Sequence, residues 1–254
     1  MKKILFCLTV LLAVLHTVPA LAFRQEDVNT LRSTGSCPGG DLRGAYLRNA
    51  DLTHANLANA DLSYADLQSA VLEEANLSGA TLLKANLRNA YMAGANLDHA
   101  DLTSATMAHT VLNRASLVGV TAYRTSFSHA LLTFANLYTA DLRESNFDYA
   151  NGAMSNFYSA NLARSWLFST QLRSANFTSA NLYDARMQKA SLVDVNFKNA
   201  NLMNAVLEEA NLSKANLTGA NLENADLSRS QMEDTKFTSA ELRDVYRKGV
   251  RTFF

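Results

Sequence analysis

The segment Ala75–His99 reads ANLSG ATLLK ANLRN AYMAG ANLDH, five blocks of five residues with Leu or Met third and Ala first. The same register extends in both directions, since 39 of the 41 positions spaced by five from Leu42 to Leu242 are Leu, Phe or Met. Two residues before these positions Ala occurs 30 times out of 41. A helix repeats its apolar residues every three to four positions and a strand every second, so this period predicts a solenoid of short repeats.

Asn or Asp precedes the central apolar residue in 23 of the 41 blocks, as in Ala55-Asn56-Leu57. This pattern resembles the pentapeptide-repeat family, whose signature is Ala-(Asp/Asn)-Leu-x-x, and the resemblance covers residues 40–242. It implies an all-β fold, a right-handed quadrilateral β-helix with four pentapeptides per coil and about ten coils. The central Leu or Phe and the Ala would point inward, and the other three positions would face outward.

A different segment precedes the repeat. Met1-Lys2-Lys3 is basic, residues 4–15 are apolar, and Ala20-Leu21-Ala22 has the form of a cleavage site. This order predicts a secretory signal peptide over residues 1–22, too short for a spanning helix, and hence a periplasmic or secreted protein. The alternative is an N-terminal membrane anchor that stays uncut.

The two ends of the solenoid are expected to carry helical caps. Without a cap, the unpaired backbone groups of the first and last coils could pair with other chains. We predict an N-terminal cap and lead-in over residues 23–39, with a short helix within Arg24–Arg32. The β-helix is predicted over residues 40–239 and a C-terminal helical cap over 240–254. The C-terminal prediction depends on apolar residues at helical spacing, namely Leu242, Val245, Tyr246 and Val250. The alternative use of this segment is homodimerisation, as in some members of the resembled family.

A coil of twenty residues has consequences for packing. It places the six central Phe residues on one opposing pair of faces and puts Ala122 and Gly152 beside them, which predicts compensated packing. It also predicts columns of alternating charge. These are Arg124, Glu144, Arg164 and Asp184 in one column and Lys189, Glu209 and Arg229 in another.

Few residues in the chain indicate catalysis, metal binding or nucleic-acid binding. Without Lys2 and Lys3 the basic residues number 21 against 23 acidic ones, too balanced to capture or imitate nucleic acid. Cys37 is the one cysteine outside the predicted signal peptide, so it is expected as a free thiol, with an intermolecular bridge as the alternative. His109 and His129 fall on adjacent rungs but lack further ligands for a metal site. The chain is therefore predicted to be no enzyme and to need no cofactor.

The outward aromatic residues concentrate in the irregular middle of the repeat. Tyr138 and Tyr158 should stack on one face, joined by Val118, and this face is the predicted binding site. Trp166 and Phe168, on the opposite face, form the alternative site. Local stacking that only rigidifies these coils remains the competing interpretation.

The leading functional hypothesis is an exported scaffold that binds another macromolecule, most readily a protein. An envelope or stress-related structural protein without a tight partner is the alternative. The family that the chain resembles also includes acidic, cytoplasmic DNA mimics that bind gyrase. The near-neutral charge and the predicted export signal of this chain disfavour that role.

Overall fold

The computed structural model describes residues 23–250, so the predicted signal peptide and residues 251–254 lie outside it. The chain begins with α1, Gln25–Thr34, and then enters the repeat. Each residue spaced by five from Ser36 to Asp226 forms a parallel β-bridge with the residue twenty positions later. One coil therefore contains twenty residues, or four pentapeptides, and successive coils stack in register. None of the helices in residues 23–250 is long and apolar enough to cross a membrane.

A tight turn forms every corner of the coil. In the first complete block the Ala45 N–H donates to the Leu42 carbonyl at 3.0 Å, which closes a four-residue turn. The third residue of each such turn, every fifth residue from Gly39 to Gly249, has a positive φ, as type II turns require. Gly, Asn, Asp and Ser suit this conformation, but the repeat also imposes it on bulky residues such as Phe134. Hydrogen bonds to the next coil hold these turns, for example Gly44 N–H to the Ser63 carbonyl at 2.8 Å.

The core consists of the two inward positions of each block, as predicted. The central residues from Leu42 to Met232 are buried, and so are the small residues two positions earlier, from Gly40 to Ser230. Each buried Leu contributes roughly 2 kcal/mol by leaving water. Because no block can bury its apolar side alone, stability comes from stacking the coils on one another.

The central Phe residues stack along the coil axis, which confirms the predicted placement. Phe157 lies on Phe177 with ring centroids 4.5 Å apart and meets Phe147 edge-on at 6.0 Å. A Cβ at Gly152 would lie 3.0 Å from Leu172 Cδ2, so the space that a side chain would need is already filled. The packing around Gly152 is therefore compensated by its neighbours.

Polar residues replace the small inward Ala in the middle coils and remain satisfied there. Thr125 Oγ1 donates to the Leu102 carbonyl in the preceding coil at 2.6 Å, and Ser165 Oγ donates to the Leu162 carbonyl at 2.7 Å. Among residues 23–250, the buried side-chain polar atoms all have hydrogen-bond partners. These hydroxyls are structural, because their hydrogen bonds go to backbone carbonyls of the coils.

The N-terminal end is capped as predicted. Helix α1 buries Val28 and Leu31 over the first coil, and Gly35 ends the helix with φ 68 and an N–H bond to the Leu31 carbonyl. Asp27 Oδ2 accepts the Asp41 N–H at 2.7 Å, which fastens the helix to the edge of the coil. The pentapeptide pattern already begins at Ser36, four residues before the predicted boundary at residue 40.

The predicted C-terminal helical cap is wrong for the described residues 240–250. Tyr246 bridges Asp226, and Gly249 takes the positive φ of a corner, so the coil continues through this segment. Without this last coil, carbonyl and N–H groups of the preceding coil would lack partners. Pairing them in register favours one more coil over a helix. Phe237, Leu242 and Val245 consequently stay only partly buried at this end.

Four faces follow from the twenty-residue coil. We number them after the central residues of consecutive blocks, face 1 from Leu42, face 2 from Leu47, face 3 from Leu52 and face 4 from Leu57. On each face the bridge residues form a middle column, and turn residues form a column along each edge. Faces 1 and 3 are opposite each other, as are faces 2 and 4.

Candidate interaction site

Tyr138 and Tyr158 lie on face 4 as predicted. Their rings are 5.6 Å apart with an interplanar angle of 17°, and their exposed fractions are 42% and 38%. Val118 stands one coil earlier in the same column, and its N–H donates to Asp98 Oδ1 at 2.9 Å. Two stacked phenol rings and a valine thus form a short exposed strip on a rigid surface.

An asparagine column holds these tyrosines in place. Asn156 Nδ2 donates to Asn136 Oδ1 at 2.9 Å, so the side-chain amides link neighbouring coils. Asn136 Oδ1 also accepts the backbone N–H of Tyr138 at 3.3 Å, and Asn156 Oδ1 accepts that of Tyr158 at 3.1 Å. The asparagine side chains thus bond both to each other and to the backbone that carries the rings. Because this backbone is already ordered, the strip loses little conformational entropy when it binds a partner.

The alternative pair, Trp166 and Phe168, lies on face 2, opposite the tyrosines. Phe168 is half-buried, packs edge-on against Tyr149 at 5.5 Å and lies under Lys189 Nζ at 5.7 Å. Trp166 has an exposed fraction of 39%. Phe168 is therefore occupied by neighbours, and Trp166 offers less contact area than the tyrosine pair.

His109 and His129, the weak metal candidates, are packed against each other. Their rings are parallel at 4.7 Å with an interplanar angle of 5°, and Tyr149 extends the stack at 5.0 Å. Parallel rings point their nitrogen lone pairs side by side, whereas a metal ion needs them to converge. Among residues 23–250, His, Cys, Asp and Glu form no group of three or more that could hold a metal.

Ion pairs link the predicted charge columns in part. Arg124 Nε contacts Glu144 Oε2 at 2.8 Å, and Arg229 bridges Glu209 at 3.2 Å. The hydrogen bond from Arg124 holds the pKa of Glu144 below its usual value. Such exposed pairs contribute at most about 1 kcal/mol each, so they are part of the scaffold.

A shallow depression of about 440 Å³ opens on face 1 between Tyr123 and Tyr183. Arg143, which lines it, already forms a bidentate pair with Asp141 at 2.7 and 2.6 Å. This pairing lowers the pKa of Asp141, because the guanidinium stabilises its ionised form. The carboxylate is thus held in its charged state and is ill suited to serve as a general base.

Cys37 is a buried free thiol beside Gly40, and burial raises its pKa. A buried thiol with a raised pKa is a poor nucleophile, because the reactive species is the thiolate. The structure thus agrees with the expectation of a free cysteine.

Sequence reasoning missed a second apolar surface, on face 3. Tyr91 and Leu131 are exposed in its middle column, and Phe134 and Met154 are exposed at its corner with face 4. The sequence does contain a signal for this surface. Four residues spaced by twenty are apolar at the position where Asn or Asp is usual, namely Val71, Tyr91, Val111 and Leu131.

The family described as Pentapeptide repeats matches the chain eight times, in overlapping segments that together cover residues 41–245. A search of curated protein sequences found no match. The solved structure of HetL, a pentapeptide repeat protein involved in heterocyst differentiation regulation in the cyanobacterium Nostoc sp. strain PCC 7120, is 29% identical. That match covers 78% of this chain and 89% of HetL, with a TM-score of 0.55.

Two further structures are similar over less of the fold. Rfr23, a pentapeptide repeat protein of the cyanobacterium Cyanothece 51142, is 33% identical over 37% of this chain and 60% of its own, with a TM-score of 0.29. QnrB1, a plasmid-mediated fluoroquinolone resistance protein, is 16% identical over 68% of this chain and 91% of its own, with a TM-score of 0.38. With these low TM-scores, the two matches carry no argument about this chain.

Proposed function

Because the chain belongs to the pentapeptide-repeat family, we propose that it is an exported, non-enzymatic scaffold of about ten coils that binds a protein partner. The proposed contact surface is the face 4 strip of Tyr138, Tyr158 and Val118. A pentapeptide-repeat rod presents side chains at a fixed spacing, so its faces are suited to binding and poor in concave sites for catalysis.

The stacked tyrosine pair is the observation that carries this proposal. Tyrosine is enriched at the energetic centres of protein interfaces because it brings a large apolar ring and a polar tip at low entropic cost. Here the ring planes are already parallel and the backbone beneath them is bonded to Asn136 and Asn156. A partner would therefore meet a preformed surface.

Export is supported by the composition of residues 1–22, with a basic start, an apolar stretch and small residues at Ala20 and Ala22. It places the partner in the periplasm or outside the cell. The near balance of basic and acidic residues argues against imitation of a DNA duplex, which needs dense negative charge. An envelope structural role without a tight partner is the alternative.

The test is recovery of partners from the exported fraction with the protein as bait. The double variant Tyr138→Ser/Tyr158→Ser should lose the partner while its melting temperature stays nearly unchanged. The matched control, Trp166→Ser/Phe168→Ser on the opposite face, should keep it. Partner recovery that survives the tyrosine substitutions, with a large fall in melting temperature, would mean that the rings only brace the coils.

A second proposal concerns the last coil that the structure describes, residues 231–250, and a second copy of this chain. Phe237, Leu242 and Val245 stay partly exposed there, whereas α1 covers the other end and so blocks head-to-tail stacking. An end-to-end homodimer would cover these residues. Light scattering of the variant Phe237→Ser/Leu242→Ser beside the unmodified protein tests it, and a monomeric unmodified protein would contradict it.

A further inference from the structure

The apolar surface on face 3 is a third feature, separate from the tyrosine strip and from the C-terminal end. We define the corner patch as Tyr91, Val111, Leu131, Phe134 and Met154. Parallel bridges join Tyr91 to Val111 and Val111 to Leu131, so three successive coils place these side chains in one column. With the coil spacing of about 4.8 Å, the five residues extend over roughly 15 Å along the axis.

The corner of this patch protrudes. Phe134 and Met154 occupy the third turn position, with φ 62 and 58, and have exposed fractions of 53% and 51%. In the described chain they are the one Phe and the one Met at this position, where Gly, Asn, Asp and Ser fill 24 of the 43 turns and His, Tyr, Thr, Glu, Lys and Arg fill 17. The left-handed conformation is unfavourable for bulky side chains, and their exposure returns little packing energy. Large apolar residues held outward at a convex corner point to a binding role.

The charge around the patch is one-sided. In the five coils whose outward face 3 residues run from Asn89 to Ser174, face 3 and its corner with face 4 carry no Asp or Glu. Asp148 lies at the corner with face 2, where its Oδ1 accepts the Phe168 N–H. The cations there are Arg114, whose guanidinium lies 6.0 Å from the Phe134 ring, and Arg173. The opposite face 1 carries four carboxylates and three arginines in the same coils, and two of these arginines pair with its carboxylates, Arg124 with Glu144 and Arg143 with Asp141. Face 3, with two cations, therefore suits an anionic partner better than face 1, where carboxylates and arginines nearly balance.

We propose that the corner patch docks this protein on an anionic lipid surface. A convex corner cannot enclose a peptide, but it can enter the headgroup region of a bilayer. Apolar and aromatic side chains bind at the boundary between headgroups and acyl chains, with aromatic rings favoured there. Arg114 and Arg173 would lie against anionic headgroups, which attract basic residues near the membrane surface.

This docking orientation is compatible with the proposed protein contact. Tyr138 and Tyr158 lie along the far edge of face 4, away from the corner that carries Phe134 and Met154. A rod lying with its axis parallel to the bilayer could therefore present the tyrosine strip to a partner. The two proposals rest on different residues, and either can fail alone.

The test is sedimentation of the processed protein, as recovered from cells, with vesicles. One set contains phosphatidylcholine with phosphatidylglycerol and the other phosphatidylcholine alone. We expect the unmodified protein to bind the anionic vesicles and the double variant Phe134→Ser/Met154→Ser to bind them at least tenfold more weakly. Serine is compatible with the turn, because Ser174 occupies the next rung of the same column with φ 56.

The matched control is Tyr64→Ser. Tyr64 is exposed at the same turn position with φ 59, but on the diagonally opposite corner, so its loss should leave vesicle binding unchanged. The variant Arg114→Gln/Arg173→Gln should remove the preference for anionic vesicles. The proposal is overturned if the unmodified protein fails to bind anionic vesicles, or if the Phe134/Met154 variant binds them equally well while its melting temperature is unchanged.

Discussion

Replacing Phe157 with Ala should destabilise the middle coils strongly. The Phe157 ring is buried, stacks on Phe177 at 4.5 Å and meets Phe147 edge-on at 6.0 Å. Truncation of a buried Phe to Ala typically costs 3–5 kcal/mol, roughly, including the cavity that remains. Aromatic pairs add about 0.5–1.5 kcal/mol each beyond burial.

The site cannot collapse easily around the missing ring. Gly152, which borders Phe157, has no side chain to move into the cavity, and Leu172 Cδ2 already fills the space beside Gly152. We therefore expect a loss near the upper end of the range, about 4 kcal/mol in the free energy of unfolding. The control Phe157→Leu should cost only about 1 kcal/mol, because Leu is the commonest central residue of the repeat and fits the same position.

Urea unfolding followed by circular dichroism would measure both variants, with the slope of the transition recorded beside its midpoint. A solenoid contacts only neighbouring coils, so local unfolding of the middle would appear as a lower slope or a second transition. A cost below about 1 kcal/mol for Phe157→Ala, or equal costs for the Ala and Leu variants, would refute the packing argument.

Three further expectations follow from the same contacts. Arg143→Gln should lower stability at neutral pH by at most about 1 kcal/mol, and the difference from the unmodified protein should vanish under acid as Asp141, whose pKa Arg143 lowers, becomes protonated. Cys37 should resist a thiol reagent in the native protein and react in urea, since burial raises its pKa; equal rates would contradict its burial. Limited proteolysis should leave one fragment spanning residues 36–250, and a stable split near Gly152 would contradict a continuous core.

The fold could be predicted from sequence because a single repeated pattern encodes it. Leu42 and its successors at every fifth position supply the inward residues, and the alternation with Ala specifies how large each inward side chain can be. The Phe columns and the charged pairs followed once the coil length was assumed, because position in a regular solenoid is set by sequence number alone.

The C-terminal segment could not be predicted in the same way. Leu242, Val245, Tyr246 and Val250 fit a helical period, but Leu242 is also a central residue, and Val245 and Val250 occupy the small inward positions. The spacing of these apolar residues is therefore compatible with both a helix and a further coil. The preceding coil decides, since Leu227 N–H bonds to the Tyr246 carbonyl at 2.8 Å and thereby extends the solenoid.

For the candidate sites, the sequence by itself determined which residues share a column, including the stacking of Tyr138 on Tyr158. The tertiary structure decided what those columns present to solvent. It engages Phe168 with Tyr149 and Lys189 while Phe134 and Met154 protrude, because exposure depends on which side chains meet across rungs and at which corner they lie. A linear pattern states the order of residues around the coil, but the contacts between coils determine which of them remain free to bind.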